Sequence, residues 1–489
     1  MSKQVHVIGS GFAGLAAATV LGKEGYQVTV LEKNEQAGGR ARVLKENGYV
    51  FDMGPSWYWM PDIFEKYFSL FDRKPSDYYE LIKLNPAFTI FFAGGERMDV
   101  PTSMQDLFTL FEQKEKGAAE KLKSFLDEAG VKYRLAVDEL IYLPSLSLRE
   151  FLKPAILKNI PKLSLFTRFD KHVRKYFKHP QLIQLMEFPV LFLGASSART
   201  PSLYSLMNYA SLTLSTWYPV GGFSKITGAM SKLAGELGVK IQTGEAVEGI
   251  QVKDGRINSL RTSKSSYSSQ GIIGASDYAH TDQLLPPVNR NYSQRYWEKR
   301  TFSPSALIFY LGVNKKLVGL NHHNLFFDKD LDRHSHEIYN DPQWPSEPLF
   351  YVCCPSKTDD SVAPEGHENL FILVPLAAGL EDTNAVREKY FDMVMKRMEA
   401  ITGESISTSI DYKKSYCINE FKSDYNAYKG NAYGLANTYL QTAFLRPSMR
   451  NKTVKNLVYA GQLTVPGPGV PPALISGQIA AEQMIKILK

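Results

Sequence analysis

Apolar and polar positions along this chain follow two rhythms, one with helical spacing and one with short β-branched runs. Val5-His6-Val7-Ile8 and Val28-Thr29-Val30-Leu31 are runs of the second kind. Between them, Leu15-Ala16-Ala17-Ala18-Thr19-Val20-Leu21 has helical character and is closed by Gly25. The order is therefore strand, helix, strand. The turn into the helix reads Gly9-Ser10-Gly11-Phe12-Ala13-Gly14, and the second strand ends on Glu32. This pattern predicts a dinucleotide fold. Gly9 makes the tight turn, Gly11 lets the backbone approach a pyrophosphate, and Gly14 lets the helix pack on the strand. Unpaired N–H groups at the helix start face the phosphates. Glu32 is placed to accept hydrogen bonds from a ribose and to repel a 2′-phosphate.

Further along, residues 103–130 are helical and amphipathic, with Lys114, Lys116, Glu120, Lys121 and Lys123 on a solvated face. A helix is expected over 224–237, a strand over 239–241, and a hairpin turn at Lys253-Asp254-Gly255-Arg256. Between about 289 and 451, runs at 306–313, 349–354 and 370–376 read as strands of an antiparallel sheet. Asn456 to Gly461 is a strand running into a glycine- and proline-rich turn, and a last helix continues to Leu488.

The glycine motif extends through Glu32-Lys33-Asn34 to Ala37-Gly38-Gly39-Arg40-Ala41-Arg42 and Phe51-Asp52-Met53-Gly54-Pro55-Ser56. Here the chain resembles the flavoprotein superfamily of amine oxidases, protoporphyrinogen oxidases and carotenoid desaturases. Tyr218-Pro219-Val220-Gly221-Gly222 and Gly271-Ile272-Ile273-Gly274-Ala275-Ser276-Asp277 resemble the family's returns to the FAD domain, with Ala275-Ser276 replacing the usual Asn-Ala. Asn431 to Leu435 with Gln441 and Arg446-Pro447, and Pro466-Gly467-Pro468-Gly469-Val470-Pro471-Pro472 followed by Ser476-Gly477, resemble carotenoid desaturases, the bacterial phytoene desaturases above all.

This resemblance implies an α/β fold: a Rossmann-like FAD-binding domain with an inserted substrate domain of antiparallel sheet plus helices. The FAD-binding parts are expected at 1–60, 216–288 and 454–489. A helical, membrane-associated substrate part is expected at 61–215, and the sheet of the substrate domain at 289–453. FAD contacts are implied for Gly9, Gly11, Phe12, Ala13, Gly14, Glu32, Lys33, Gly39, Arg40, Met53, Gly54, Pro55, Ser56, Val247, Asp277, Gly461, Gly469, Val470 and Pro471, with Gly38 and Arg42 beside the pyrophosphate. The last helix would direct its positive end at the flavin. The implied activity is desaturation of a long-chain carotenoid, with a quinone or oxygen as electron acceptor. Alternatives are a hydroxycarotenoid 3,4-desaturase or carotenoid isomerase of the same fold, or an amine or protoporphyrinogen oxidase. No residue is identified as the proton acceptor.

Composition adds three constraints. The chain has 489 residues, 44% hydrophobic and 12% aromatic, enough for two domains or one large core with an inserted lobe. Cys353, Cys354 and Cys417 are too few for a disulfide framework and read as reduced core residues of a cytoplasmic protein. His322-His323 and His334-Ser335-His336 lie in polar, loop-like sequence, and no metal is expected there. Ser56-Trp57-Tyr58-Trp59-Met60 reads as core packing, as the wall of an apolar substrate cavity, or as both, and Trp57 to Trp59 with the apolar stretch 188–209 are expected to line a substrate tunnel. No apolar run reaches the ~18 residues of a spanning helix, and no signal peptide is expected ahead of the first strand.

Net charge is +7, and its distribution matters more than its sum. Lys153, Lys158, Lys162, Arg168, Lys171, Arg174, Lys175 and Lys178 interleave with Ile156, Leu157, Ile160, Phe166, Phe169, Val173 and Phe177. That reads equally as a peripheral membrane surface or as helices with a charged outer face. No nucleic-acid signature accompanies the charges, so nucleic acid is not an expected partner.

Overall fold

Residues 3–152, 154, 158–159, 163–165, 167–193, 196–438 and 440–489 are described in a computed structural model. Two sheets organise them. The first has five parallel strands in the order Leu457–Tyr459, Gly271–Gly274, Gln4–Ile8, Gln27–Leu31, Lys240–Gln242. The chain thus enters this sheet from three separate stretches. Its strands are buried on both faces, which explains their continuous apolar runs. Val5, Val7, Val28 and Val30 face one core, and Ile8, Leu31, Ile272 and Leu457 face another. Helices Phe12–Lys23 and Val470–Leu488 pack together on this sheet so closely that a Cβ on Gly477 would lie 2.1 Å from the Ala13 carbonyl oxygen.

The second sheet has seven strands in the order Ile410–Tyr416, Ser305–Val313, Glu368–Leu376, Phe350–Cys353, His323–Phe327, Phe88–Phe92, Arg97–Val100. It is antiparallel except where Asn324–Phe327 runs parallel to Thr89–Phe92. The last two strands come from 61–215, the stretch read from sequence as helical. Period-2 alternation divides this sheet cleanly. Leu307, Phe309, Leu311, Val352 and Ile372 pack beneath helix Asn384–Thr402, while Ala306, Ile308, Tyr310, Leu325, Tyr351 and Phe371 face the first sheet.

The hairpin at Lys253–Arg256 forms as expected, with Asp254 and Gly255 both at positive φ. The three cysteines are free and buried. Among the described residues no helix is long and apolar enough to cross a membrane.

Candidate active site

One cavity of about 440 Å³ runs from the glycine turn to the inner face of the second sheet. Apart from Arg42, it is lined by every sequence-predicted contact residue except Gly14. The exception follows from packing: a Cβ on Gly14 would sit 1.9 Å from the Gly9 carbonyl oxygen, so Gly14 holds the helix against the turn. Gly9 itself needs φ +98° to turn the chain. Gly11, by contrast, has ordinary extended backbone, and a Cβ there would meet only Gly39 Cα at 3.9 Å, on the side open to the cavity.

Glu32 is 5% exposed and held on both oxygens. Ser10 donates from N–H and Oγ to Oε2 at 2.9 and 2.7 Å, and Asn34 donates from N–H and Nδ2 to Oε1, both at 2.9 Å. Ser10 and Asn34 were not recognised from the sequence, although an Asn two residues beyond a strand-tip acid is well placed to bond it. Lys33 leans across the rim, donating to the Ser423 carbonyl and, at 3.1 Å, to Asn426 Oδ1.

Arg40 is densely surrounded and faces the cavity it lines. Its Nη2 donates to the Asn431 carbonyl at 3.2 Å and its guanidinium lies 5.0 Å from the Tyr425 ring, but Nε has no partner among the described residues. No carboxylate pairs with it there, and desolvation lowers its pKa. Asp277 caps helix Tyr278–Gln283 through His280 N–H and also accepts from Tyr428 N–H, both at 3.3 Å; burial raises its pKa and nearby Arg40 lowers it. A half-buried cation that makes no ion pair, with Asp277 near but not bonded to it, beside two glycines and a helix start, is a cradle for a diphosphate. Arg42 does not join it. That guanidinium pairs with Asp424 at 2.6 Å and does not line the cavity.

At the far end of the chain, Gly461, Gly469, Val470 and Pro471 reach the cavity where helix Val470–Leu488 begins. Ser476 fixes this turn, accepting from Gly461 N–H at 2.9 Å and donating to the Val465 carbonyl at 2.7 Å. Val247, at the start of strand Val247–Lys253, lines the nucleotide end.

Beyond Met53–Ser56 the lining turns apolar. Trp57, Trp59, Met60, Phe188 and Met207 contribute, and Trp57 and Trp59 meet edge to face at 5.1 Å. Tyr58 does not contribute. It stacks on Phe64 at 4.5 Å in the core, and Val190 and Leu206 within 188–209 are also core residues. The opposite wall comes from Leu325, Phe327, Tyr351, Phe371 and Leu373 on the second sheet, and from Leu331, Ile338 and Tyr339 on helix Leu331–Tyr339.

His322 lies in a bend, but the other histidines of these two clusters are not in loops. His323 begins a strand, and His334 lies in helix Leu331–Tyr339, pinned to Leu349 N–H and the Pro375 carbonyl. Tyr351 and Ser56 line the cavity with Tyr351 Oη 2.9 Å from Ser56 Oγ, and behind them His323 Nδ1 lies 2.6 Å from Tyr351 Oη and His322 Nδ1 2.8 Å from Thr358 Oγ1. His323 stacks on Trp57 at 4.1 Å, and a ring nitrogen of each histidine lies within 4.8 Å of Cys353 Sγ.

The basic stretch divides. Lys153, Ile156, Leu157, Ile160, Lys162 and Phe166 lie outside the described residues. In helix Phe169–Tyr176 the apolar residues Phe169 and Val173 are buried, as is Phe177 just beyond it, and Lys171, Arg174 and Lys175 face outward. Exposed large apolar side chains occur instead at Leu146, Leu148 and Leu152 and at Leu440, Phe444 and Leu445. The Phe151 and Phe444 rings, 5.9 Å apart, bring these two segments together.

Comparison with known proteins agrees with this geometry. Residues 12–485 match the family described as flavin containing amine oxidoreductase. A carotenoid 3,4-desaturase of Haloarcula japonica is 40% identical over 99% of this chain and 98% of its own length. The zeta-carotene-forming phytoene desaturase of Myxococcus xanthus is 30% identical over 99% and 94%. Among solved structures, an oxidoreductase from Methanosarcina mazei shares the fold with a TM-score of 0.63 at 15% identity, covering 99% of this chain and all of that one.

Proposed function

The chain belongs to the flavin-containing amine oxidoreductase family, and on that premise we propose that it is an FAD-dependent desaturase of long-chain carotenoids, acting in carotenoid biosynthesis. The observation that carries this reading is the cavity: charged and hydrogen-bonding at the glycine turn, aromatic and aliphatic from Trp57 to the second sheet. FAD supplies the hydride acceptor.

The chain's own residues do the rest. Gly11 and Gly39 leave room for the pyrophosphate, Arg40 neutralises it, and Glu32, already oriented by Ser10 and Asn34, takes the ribose. The start of helix Val470–Leu488 lines the cavity and would offer its positive end to a bound flavin, which gains negative charge on reduction. Pro471 and Pro472 donate no N–H, so this contribution is mainly that of the dipole. A polyene offers nothing to ionise, so substrate binding rests on burial against Trp57, Trp59, Phe188 and the sheet wall. The three entries of the chain into the parallel sheet support assigning 1–60, 216–288 and 454–489 to FAD and the remainder to substrate.

Greater identity to the Haloarcula japonica protein favours, as a second reading, desaturation at the 3,4 position. The substrate dissolves in bilayers, and the joined apolar surface at Leu148, Leu152, Leu440 and Phe444, flanked by exposed Arg149 and Lys158, supports docking on a membrane surface. A quinone in that bilayer, or oxygen, then accepts the electrons.

Expression in two hosts tests the reading, one accumulating phytoene and one accumulating an already conjugated acyclic carotenoid. Chromatography should show a product with extended conjugation in at least one. Unchanged pigment in both, with FAD bound, refutes it. Anaerobic flavin reduction by simple amines would move the protein to the oxidase branch.

A further inference from the structure

Desaturation removes two hydrogens from neighbouring carbons. One leaves with both its electrons; the other leaves as a proton, and its C–H pair becomes the new π bond. Building on the desaturase reading, we propose that Tyr351 accepts this proton and that His323 and His322 relay it to Thr358 at the protein surface. Tyr351 lines the cavity and its hydroxyl lies 2.6 Å from His323 Nδ1. Its oxygen can therefore take the substrate proton while its own hydrogen passes to the imidazole, so no phenolate or oxonium accumulates. His323 then holds hydrogens on both nitrogens and gives up the one on Nε2. His322 receives it on one nitrogen and releases another from Nδ1 to the Thr358 hydroxyl, 2.8 Å away and partly exposed, whose own hydrogen passes to solvent water.

Two features point to a relay and not to ordinary core packing. Both histidines are buried with Nδ1 bonded and Nε2 without a partner among the described residues. Stranded buried nitrogens are costly, and they are retained where they serve chemistry. Moreover, the two rings converge, with centroids 4.5 Å apart and a nitrogen from each within 4.8 Å of the other and of Cys353 Sγ. Desolvation pushes the His322 pKa down to about 3 and that of His323 well below its ordinary value. Such rings pass a proton on and do not retain it, which suits a substrate cation that sheds its proton readily.

The holoenzyme tests this directly. Tyr351→Phe keeps the ring and removes the relay's first atom. With FAD content and melting temperature unchanged, single-turnover product formation should fall about 100-fold, as for the loss of a general base. His323→Gln should fall similarly, and the double variant no further, because the residues act as one unit. Deuterated water should slow the wild type and not Tyr351→Phe. A rate within 3-fold of wild type for Tyr351→Phe, or multiplicative losses in the double variant, would overturn the relay. So would a stoichiometric metal that co-purifies with the wild type and is lost in Cys353→Ala.

If the wild type converts no carotenoid, the desaturase reading fails first, and the relay is judged by nitrogen NMR of ¹⁵N-histidine-labelled holoenzyme. His323 should be neutral with its proton on Nε2, and should change tautomer in Tyr351→Phe. A proton found on Nδ1 in the wild type overturns the relay regardless of activity.

Discussion

Gly11→Val and Gly14→Ala separate the two duties of the glycine turn, and the structure assigns them opposite outcomes. At Gly11 the backbone has φ −71° and ψ −177°, an extended conformation that suits valine, and the space beyond its Cβ position is cavity. The change costs the apo fold little beyond a weaker N-cap, about 1 kcal/mol or less. It fills the place where phosphate oxygens must approach the helix N–H groups. Losing two such charge-assisted bonds, at about 1.5–3 kcal/mol each, weakens FAD by roughly 3–6 kcal/mol, or 10²- to 10⁴-fold. At Gly14 the added methyl would lie 1.9 Å from the Gly9 carbonyl oxygen. Helix and turn must then separate, an overpacking cost of about 1–3 kcal/mol or more to the fold itself. Flavin absorbance of the purified proteins, FAD titration and thermal melts of FAD-stripped samples give the comparison. Gly11→Val should be colourless with an apo melting temperature close to that of wild type, and Gly14→Ala should melt several degrees lower before FAD enters the question. Stoichiometric FAD in Gly11→Val would refute the assignment of this turn to the phosphates.

Glu32→Ala should weaken FAD by about 1.5–3 kcal/mol if the carboxylate binds ribose; an unchanged affinity in fluorescence titration removes that role. Below pH 6.5 the unfolded chain protonates His322 and His323 while the fold keeps them neutral, so stability falls as pH drops toward the His322 value of about 3. At pH 5 His322 contributes about 2 kcal/mol of this loss, and in denaturant unfolding His322→Gln/His323→Gln should lose less stability than wild type between pH 7 and pH 5, by about that amount or more. Changing Leu148, Leu152, Leu440 and Phe444 together to Ser should weaken liposome binding by up to about 4 kcal/mol, at about 1 kcal/mol for each half-exposed side chain. The Lys171, Arg174, Lys175 and Lys178 charge reversal should matter much less, and the reverse ranking in sedimentation would place docking elsewhere.

The nucleotide half was legible because its glycines are forced by geometry that sequence records directly. The hairpin at Asp254-Gly255 was legible from its turn residues, and strand Ser305–Val313, buried throughout and without alternation, from the length of its apolar run, nine residues against the five of Phe88–Phe92. Strand Phe88–Phe92 was missed because it is buried on both sides and shows no alternation, and nothing local says that it lies parallel to a strand more than two hundred residues later. Asp330 caps helix Leu331–Tyr339 through the N–H groups of Asp332 and Arg333, yet its polar composition disguised it as a loop. In the basic stretch the signal was present and outweighed by charge: Phe169, Val173 and Phe177 recur every four residues, the spacing of one buried helical face. The Tyr351–His323 contact joins opposed strands and had no sequence signature at all.

The distribution of polarity along the cavity bears on how a desaturase chooses its bond. Hydrogen bonds and charge are concentrated at Glu32, Arg40 and the helix start, where they fix the cofactor. The remaining wall from Trp57 to Phe327 and Ile338 is largely apolar. Against such a wall a polyene that slips by one repeat exchanges one hydrocarbon contact for another at nearly the same free energy, since burial is non-directional. The wall therefore contributes affinity and little register. Register has to come from features that cannot slide: the shape of the cavity ends and the fixed points where hydrogens depart. Tyr351 is such a point, held between Ser56 and His323 at the boundary between the polar and apolar halves. On this argument the bond formed is the one whose second hydrogen meets Tyr351, and regiospecificity follows from the same hydroxyl that carries the proton out.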